Sequence, residues 1–462
     1  MQVQIAVIDY GSQYSQLIVR RVRELGYFAK LYNPDQLEEV GRPGALILSG
    51  GPRSVREENA PDVDFEFLQE LDIPVLGICY GMQLLNLKWG GEVTPGLVRE
   101  YGQAHLFIEE QEALLSGMVN ESRIWMSHSD TVSGLPGDAH VLGRNAEGLP
   151  VAVKWSDRFY GIQFHPEVSH TDEGMKVLRN FVELSGEEPA FSIESFRQEI
   201  IRTIQETVGD KEVVCGVSGG VDSSVLAMLL HEAEVNLQCI FVDTGLLRKN
   251  EAHDVAENFL NLGVDIDIID AEADFLAALE GVTDPEEKRR RIGDLFLDIF
   301  FENAGHVDML AQGTLYPDVI ESGTSGSIAS TIKTHHNRVP RVLELQEQGK
   351  VIEPLAELFK DEVRALGESM DMPQEVLYRH PFPGPGLAVR VPGEVTREKL
   401  DILREADAAF ISTLRATGWY DKVWQACTNI LPVKTVGVKG DERAYEFAIT
   451  LRAVISCDAM TA

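Results

Sequence analysis

The 462-residue chain is short of three things, and each shortage excludes something. Cysteine is scarce: five residues, at 79, 215, 239, 427 and 457, with no CxxC pair. That spacing excludes a disulfide framework or a cysteine-built zinc site, and it suits a reducing cytoplasm. Long apolar runs are absent, so no segment reads as a membrane-spanning helix. The N-terminus, MQVQIAVIDYGSQ, lacks the basic flank and apolar stretch of a signal peptide. Basic residues are too few: 41 Lys and Arg against 74 Asp and Glu leave a net charge of −33. A nucleic-acid partner is therefore not expected, because a phosphate backbone needs a basic face. The acidity runs along the whole chain, and only 14 of the bases are lysines. Such a surface suits a salt-rich cytoplasm, where screening removes self-repulsion; an ordinary acidic protein is the equal alternative.

What is present is the balance of a globular protein, 44% hydrophobic and 25% charged, long enough for two to four domains. Strand and helix signals alternate. IAVIDY (5–10), ALILSGGP (45–52) and PVLGIC (74–79) read as strands, and SQLIVRRVREL (15–25) and GMQLLNL (81–87) as helices. HVLGRN, PVAVKW and YGIQFH read as later strands, and EGMKVLRNFVELSG as the closing helix. EEPAF (187–191) reads as a polar linker. A second alternating unit follows, with EVVCGVSGG (212–220) and LQCIFVDTG (237–245) as strands. RHPFPGPGLAVRV (379–391) breaks the pattern. The expected fold class is α/β: two domains with mostly parallel sheets, 1–187 and 192–378, and a small α+β module over 379–462.

Two places carry chemistry. In Gly77-Ile78-Cys79-Tyr80-Gly81 small residues flank a nucleophile between a buried strand and a helix, the shape of a nucleophile elbow. His165, in Gln163-Phe164-His165-Pro166-Glu167, is the matching base. Glu167, two residues on along an extended chain, falls on the same side and can orient it. Gly50 and Gly51, in Leu48-Ser49-Gly50-Gly51-Pro52, can present backbone N–H groups to an oxyanion beside that of Tyr80. Taken together, LSGGP, GICYGMQ and FHPEV resemble the class I glutamine amidotransferases. The resemblance implies glutamine hydrolysis through a glutamyl thioester with release of ammonia. It also implies that Gln83, His128 and Asp130 hold the glutamine amino-acid group. His105, His140 and His170 have no such context and read as surface residues.

The second place is Ser218-Gly219-Gly220-Val221-Asp222-Ser223-Ser224, which follows a strand and opens a helix. Glycines let a backbone approach phosphate, and hydroxyls with helix N–H groups bind it. No lysine follows the glycines, so the loop is not a Walker A motif. SGGVDSS resembles the PP-loop of the ATP pyrophosphatases, which cleave ATP between the α and β phosphates. The resemblance implies that the loop holds diphosphate and that Asp222 helps to hold Mg²⁺. Lys333, after a Gly/Ser-rich stretch (322–330) that reads as a lid, and Lys360, at a helix start, are candidates to meet the phosphate charge.

FVDTGLLRKNE, PEEKRRRIG, AQGTLYPDVIES, IKTHHN, EPLAELFKDEVR, RHPFPGPGLAVRV and VKTVGVKGDERAY follow in order. With the two sites they resemble the glutamine-hydrolysing GMP synthase family over nearly the whole chain. The implied substrates are glutamine, ATP and xanthosine monophosphate (XMP), and the implied assembly is a homodimer built by 379–462. By the same resemblance Gly216, Val242 and Asp243 line the adenosine pocket, Gln312 and Gly313 lie near ATP, and Arg248 contacts XMP. Lys333 would stabilise charge at the transferring phosphate. The sequence departs from the family at Arg338-Val339-Pro340-Arg341, where many members have a Gly-Gly-Leu-Pro turn. It also stops at Asp458–Ala462, before a tail whose Lys and Glu bind XMP, so the last module reads as truncated. Two other readings stand at this point: a glutaminase with an impaired synthetase, and a non-catalytic nucleotide-binding regulator.

Overall fold

The computed structural model describes residues 2–318, 340–439 and 442–455. It forms two compact units, Met1–Phe196 and Arg197–Ala462.

The first unit is built on a nine-stranded sheet. Four short apolar runs are wholly buried and form its parallel centre: β1 (Ile5–Ile8), β3 (Ala45–Leu48), β4 (Val75–Ile78) and β9 (Phe159–Ile162). With β2 (Ala29–Tyr32) on the outside of β1, they run in the order β2-β1-β3-β4-β9. Continuous apolar runs of this kind fit strands covered on both faces. Helix α1 (Ser15–Glu24) buries Ile18, Val19 and Val22, one helical stripe, and packs against α4 (Gly174–Glu183).

Beyond β9 the sheet continues antiparallel through β8 (Pro150–Lys154), β7 (His140–Arg144), β5 (Glu92–Ile108) and β6 (Glu121–Gly134). The sequence reading has no strands over 92–134. The long β5–β6 pair is polar on one side, and its burial alternates strictly along β6. The buried face of β6 carries Ile124, Met126, His128, Asp130 and Val132. The expected linker is also more than a tether. Gln4 donates to the Glu188 carbonyl at 2.8 Å, Phe191 N–H donates to Gly26 O at 2.8 Å, and Phe191 stacks on Phe28.

The second unit has a five-stranded, all-parallel sheet in the order β12-β11-β10-β13-β14. Its strands are β10 (Glu212–Gly216), β11 (Asn236–Asp243), β12 (Asp267–Asp270), β13 (Met309–Ala311) and β14 (Val351–Ile352). In such sheets ligands bind beyond the carboxyl ends of the strands. Here those ends feed the SGGVDSS turn and Asp243. Phe275, Phe300, Phe301 and Leu387 belong to the core. Lys288 is buried and donates to the carbonyls of Ala388 (3.3 Å), Val391 (2.7 Å) and Gly393 (2.6 Å), pinning the proline- and glycine-rich segment. The helix Arg397–Ala416 packs on a two-stranded antiparallel ribbon, β15 (Gln425–Lys439) with β16 (Glu442–Val454).

Candidate active sites

Cys79 joins β4 to α3 (Tyr80–Lys88) at a φ of 50°. The left-handed region costs a non-glycine residue roughly 1–2 kcal/mol, so the turn holds the thiol against a local penalty. Its neighbours must be glycines. A Cβ on Gly77 would meet Gly81 C at 2.5 Å, and one on Gly81 would meet Leu48 Cβ at 2.7 Å.

His165 follows β9 and is anchored by its N–H to Trp125 O at 3.0 Å and by Thr171 Oγ1 to its own carbonyl at 2.6 Å. Its Nδ1 lies 2.7 Å from Glu167 Oε1, and its ring also hydrogen-bonds Cys79. All three side chains are buried. Burial pulls the imidazole down, but the Glu167 carboxylate and the bonds to Cys79 and Glu167 outweigh it and hold His165 well above its usual value. The ring thus holds a proton more firmly than a free imidazole, and as a cation it stabilises negative charge developing on the neighbouring sulfur. Tyr14 stands edge-on to the imidazole with centroids 5.1 Å apart. No spacing in the sequence pointed to Tyr14 or Thr171.

The Gly50–Gly51 turn passes beside this pair. A Cβ on Gly50 would sit 2.9 Å from His165 Cε1 and 3.6 Å from Cys79 Cβ, and one on Gly51 would sit 3.3 Å from Tyr80 Cγ. Gly50 thus borders Cys79 and His165, and Gly51 borders Tyr80. The Tyr80 hydroxyl is spent on Pro61 O at 2.5 Å, so Tyr80 has only its backbone to offer.

Gln83, His128 and Asp130 form one connected group. Gln83 Nε2 donates to Asp130 O at 2.8 Å and to Gln163 Oε1 at 3.3 Å. His128 Nδ1 meets Asp130 O at 2.9 Å, and its Nε2 lies 3.1 Å from Glu100 Oε2. Burial lowers His128 to about 4, so it is neutral at pH 7. A neutral ring that donates from Nδ1 turns its Nε2 lone pair to Glu100, and the contact is satisfied when Glu100 carries the proton. Burial of Glu100, followed by the nearby Glu147, raises that carboxyl in the same direction. The Asp130 carboxylate is gripped by Arg56 and Ser54. Glu100, Ser54 and Arg56 escaped the sequence reading because they lie on segments that carry no motif. His105, His140 and His170 are exposed.

In the second unit the SGGVDSS turn enters α6 (Val221–Glu232), whose first residue follows Gly220. Ser223 Oγ accepts from Ser218 N–H and lies 3.2 Å from Ser218 Oγ, which folds the turn back on itself. Ser224 is buried behind it. A Cβ on Gly313 would be 3.6 Å from Ser223 N, so the loop after β13 runs alongside. Gly216 ends β10 against the Phe300 ring. Val242 and Asp243 end the adjacent β11, where the Asp243 carboxylate accepts from Gly245 N–H at 2.9 Å. Lys360 Nζ lies 3.2 Å from Asp222 Oδ2, while Asp222 Oδ1 and Gln312 Oε1 are buried without hydrogen-bond partners among the described residues. Lys333 and the 322–330 stretch lie outside the described residues.

Arg248 is tied to this loop through Glu251. Its backbone N–H donates to Glu251 Oε2 at 2.7 Å; Glu251 also meets Arg379, and Arg379 Nη1 donates to Gly219 O at 3.1 Å. Arg248 and Arg390 stack on the Phe382 ring, 4.4 and 5.0 Å from its centroid. Burial, then the nearby Arg379, lowers Arg248 to about 10, which leaves it charged at neutral pH. Arg379 and Arg390 were missed by the sequence reading, although both sit in the RHPFPGPGLAVRV run. Among the described residues no group of three His, Cys, Asp or Glu is placed to hold a metal.

Comparison with known proteins gives three separate matches along the chain. The sequence pattern described as "Glutamine amidotransferase class-I" matches residues 6–184. That described as "tRNA methyl transferase HUP domain" matches 211–277, and "GMP synthase C terminal domain" matches 412–462. Proteins named "GMP synthase [glutamine-hydrolyzing]" are similar over almost the full length. The protein from Thermosipho melanesiensis is 52% identical over 99% of this chain and 91% of its own. That from Bartonella bacilliformis is 49% identical over 99% and 90%, and that from Carboxydothermus hydrogenoformans 50% identical over 100% and 92%.

Proposed function

This chain belongs to the glutamine-hydrolysing GMP synthases, and from that premise we propose how its residues divide the work. The chain is a carbon–nitrogen ligase that makes GMP from XMP, glutamine and ATP, releasing AMP and diphosphate. The full-length likeness favours this reading over a glutaminase with a disabled acceptor site and over a non-catalytic nucleotide binder.

Cys79 attacks the glutamine carboxamide carbon, and backbone N–H groups of Gly51 and Tyr80 receive the oxyanion. His165 passes a proton to the departing ammonia, and Glu167 holds the ring in register. Water then hydrolyses the thioester to glutamate. Gln83, His128 and Asp130 shape the pocket for the amino-acid end of glutamine.

At the PP-loop, Ser218, Gly219, Gly220, Val221, Ser223 and Ser224 cradle the phosphates, and Gly216, Val242, Asp243 and Gly313 border the nucleoside. Transfer of AMP to the XMP oxygen expels diphosphate, whose charge Lys360 and Lys333 meet. Ammonia then displaces AMP to give GMP. Arg248 holds XMP. Asp222 suits Mg²⁺, because its Oδ1 is buried with no partner among the described residues, and a hard cation prefers such an oxygen. When bound, Mg²⁺ would offset phosphate charge. We further infer a cytoplasmic homodimer built on 379–462. The β15–β16 ribbon, packed on one helix, still exposes Val433, Val436, Tyr445 and Leu451, apolar surface that a second copy would cover. We also propose that the functional domains are 1–187 around Cys79, 192–378 around the SGGVDSS turn, and 379–462 with the C-terminal ribbon.

The observation that carries the reading is the buried Cys79–His165–Glu167 alignment in a chain that also bears an SGGVDSS turn. Its test is product stoichiometry with XMP, Mg-ATP and glutamine. AMP and GMP in equal amounts are expected, and AMP release without GMP would contradict the reading.

A further inference from the structure

We propose that Arg56 is a glutamine-specificity residue, a cation that binds the α-carboxylate of the substrate at the mouth of the Cys79 pocket. The proposal rests on the glutaminase reading above.

The geometry is asymmetric in a telling way. Asp130 lies on the buried face of β6, its side chain 6% exposed, whereas the Arg56 side chain above it is 40% exposed. Arg56 grips the carboxylate with Nη2 (3.0 Å) and Nε (3.4 Å), and Ser54 Oγ donates to it as well. One edge of the guanidinium is thus fixed, while Nη1 has no protein partner among the described residues. The buried aspartate holds the fork rigid, and a rigid fork loses little entropy when it takes a second carboxylate.

Its place along the chain fits the length of glutamine. Arg56 follows the Gly50–Gly51 turn, which borders Cys79 and His165. Asp130 is three residues along β6 from Ser127, whose carbonyl lies 3.6 Å from Cys79 Sγ. Three extended residues span roughly 10 Å. Glutamine bound with its carboxamide at the sulfur and lying along this strand carries its α-carboxylate roughly 5 Å further on, and the long Arg56 side chain covers the remaining distance. The side chains met on the way are Gln83, neutral His128, Glu100 and Asp130, which offer no positive charge at neutral pH. A substrate carboxylate in such company needs a cation, and Arg56 is joined to this group directly. If the ion pair only anchored the 52–62 loop, its loss would change stability and leave substrate discrimination untouched.

The test uses the full chain and measures glutamate release from glutamine, and ammonia release from 4-aminobutanamide, which is glutamine without its α-carboxylate. For Arg56→Ala the glutamine KM is expected to rise 10- to 100-fold with kcat within threefold, while the KM for 4-aminobutanamide moves less than twofold. Arg56→Lys keeps the charge but not the fork, guards against misfolding of the alanine variant, and should raise the glutamine KM three- to tenfold. A glutamine KM within threefold of wild type in both variants would overturn the proposal, as would an equal rise for both substrates. Wild-type protein that releases no glutamate would overturn the glutaminase reading itself, and the wild-type rate tells that failure apart from failure of Arg56 alone.

Discussion

Replacing Glu167 with Gln removes a charge and almost nothing else. The side chain is buried, its Oε1 lies 2.7 Å from His165 Nδ1, and glutamine has the same shape. At that distance an opposite unit charge contributes up to about 6 kcal/mol at an effective dielectric near 20. Spread over two delocalised groups, the usable part is roughly half, or two or more decades at about 1.4 kcal/mol each. Burial, the largest influence on His165, already pulls it down. Without Glu167, burial prevails, and His165 falls from well above its ordinary value to below it. In the wild type the raised imidazole stabilises the fold fully below about pH 6.5, and that contribution is lost as pH rises through the folded value. In the variant it is gone. Glutaminase turnover should drop roughly 10²- to 10⁴-fold, and alkylation of Cys79 by iodoacetamide should weaken at pH 6 to 7, where the wild type still reacts. Steady-state glutamate release and a pH series of alkylation rates measure both. Turnover within threefold of wild type, with an unchanged alkylation profile, would refute the reasoning.

Other perturbations have calculable signs. His128 is lowered to about 4, so its stabilisation is complete above pH 6.5 and is lost as pH falls toward 4, where the unfolded chain takes the proton first. The loss is at most about 3 kcal/mol, with the raised Glu100 acting in the opposite sense. Urea titrations at pH 7 and 4.5 should show a smaller pH effect in His128→Gln than in wild type, and equal effects would contradict the burial argument. Lys288→Met strands three carbonyls that the ammonium now serves, which should cost roughly 2–4 kcal/mol of stability. Thermal melting would detect that shift, and an unchanged melting curve would mean the carbonyls find other donors.

Much of the fold was legible because a parallel sheet leaves an unmistakable trace. β1, β3, β4 and β10 are centred on short apolar runs, and the last three lead into the turns at Gly50, Cys79 and Ser218 where chemistry sits. β5 and β6 were not legible, since their residues alternate and their polar members, His128 and Asp130, face inward. The same contrast holds for the sites. Cys79, His165, Glu167 and the SGGVDSS turn are set by local geometry, so they appear as motifs. Glu100, Arg56, Tyr14 and Arg379 act through contacts between segments far apart in the chain, and no short pattern carries such a contact. Arg248 is placed by resemblance, whereas the stacking of its guanidinium and that of Arg390 on Phe382 joins distant stretches of the chain, which no motif records.

The most direct test of the two-site account is Cys79→Ala assayed with two nitrogen donors. With XMP and Mg-ATP present, GMP formation from glutamine should disappear, while formation from ammonium should persist within about threefold of wild type, since the nucleotide site lacks nothing the substitution removes. Loss of both activities in a folded variant would contradict the account, and so would glutamine-dependent synthesis that survives without the thiol.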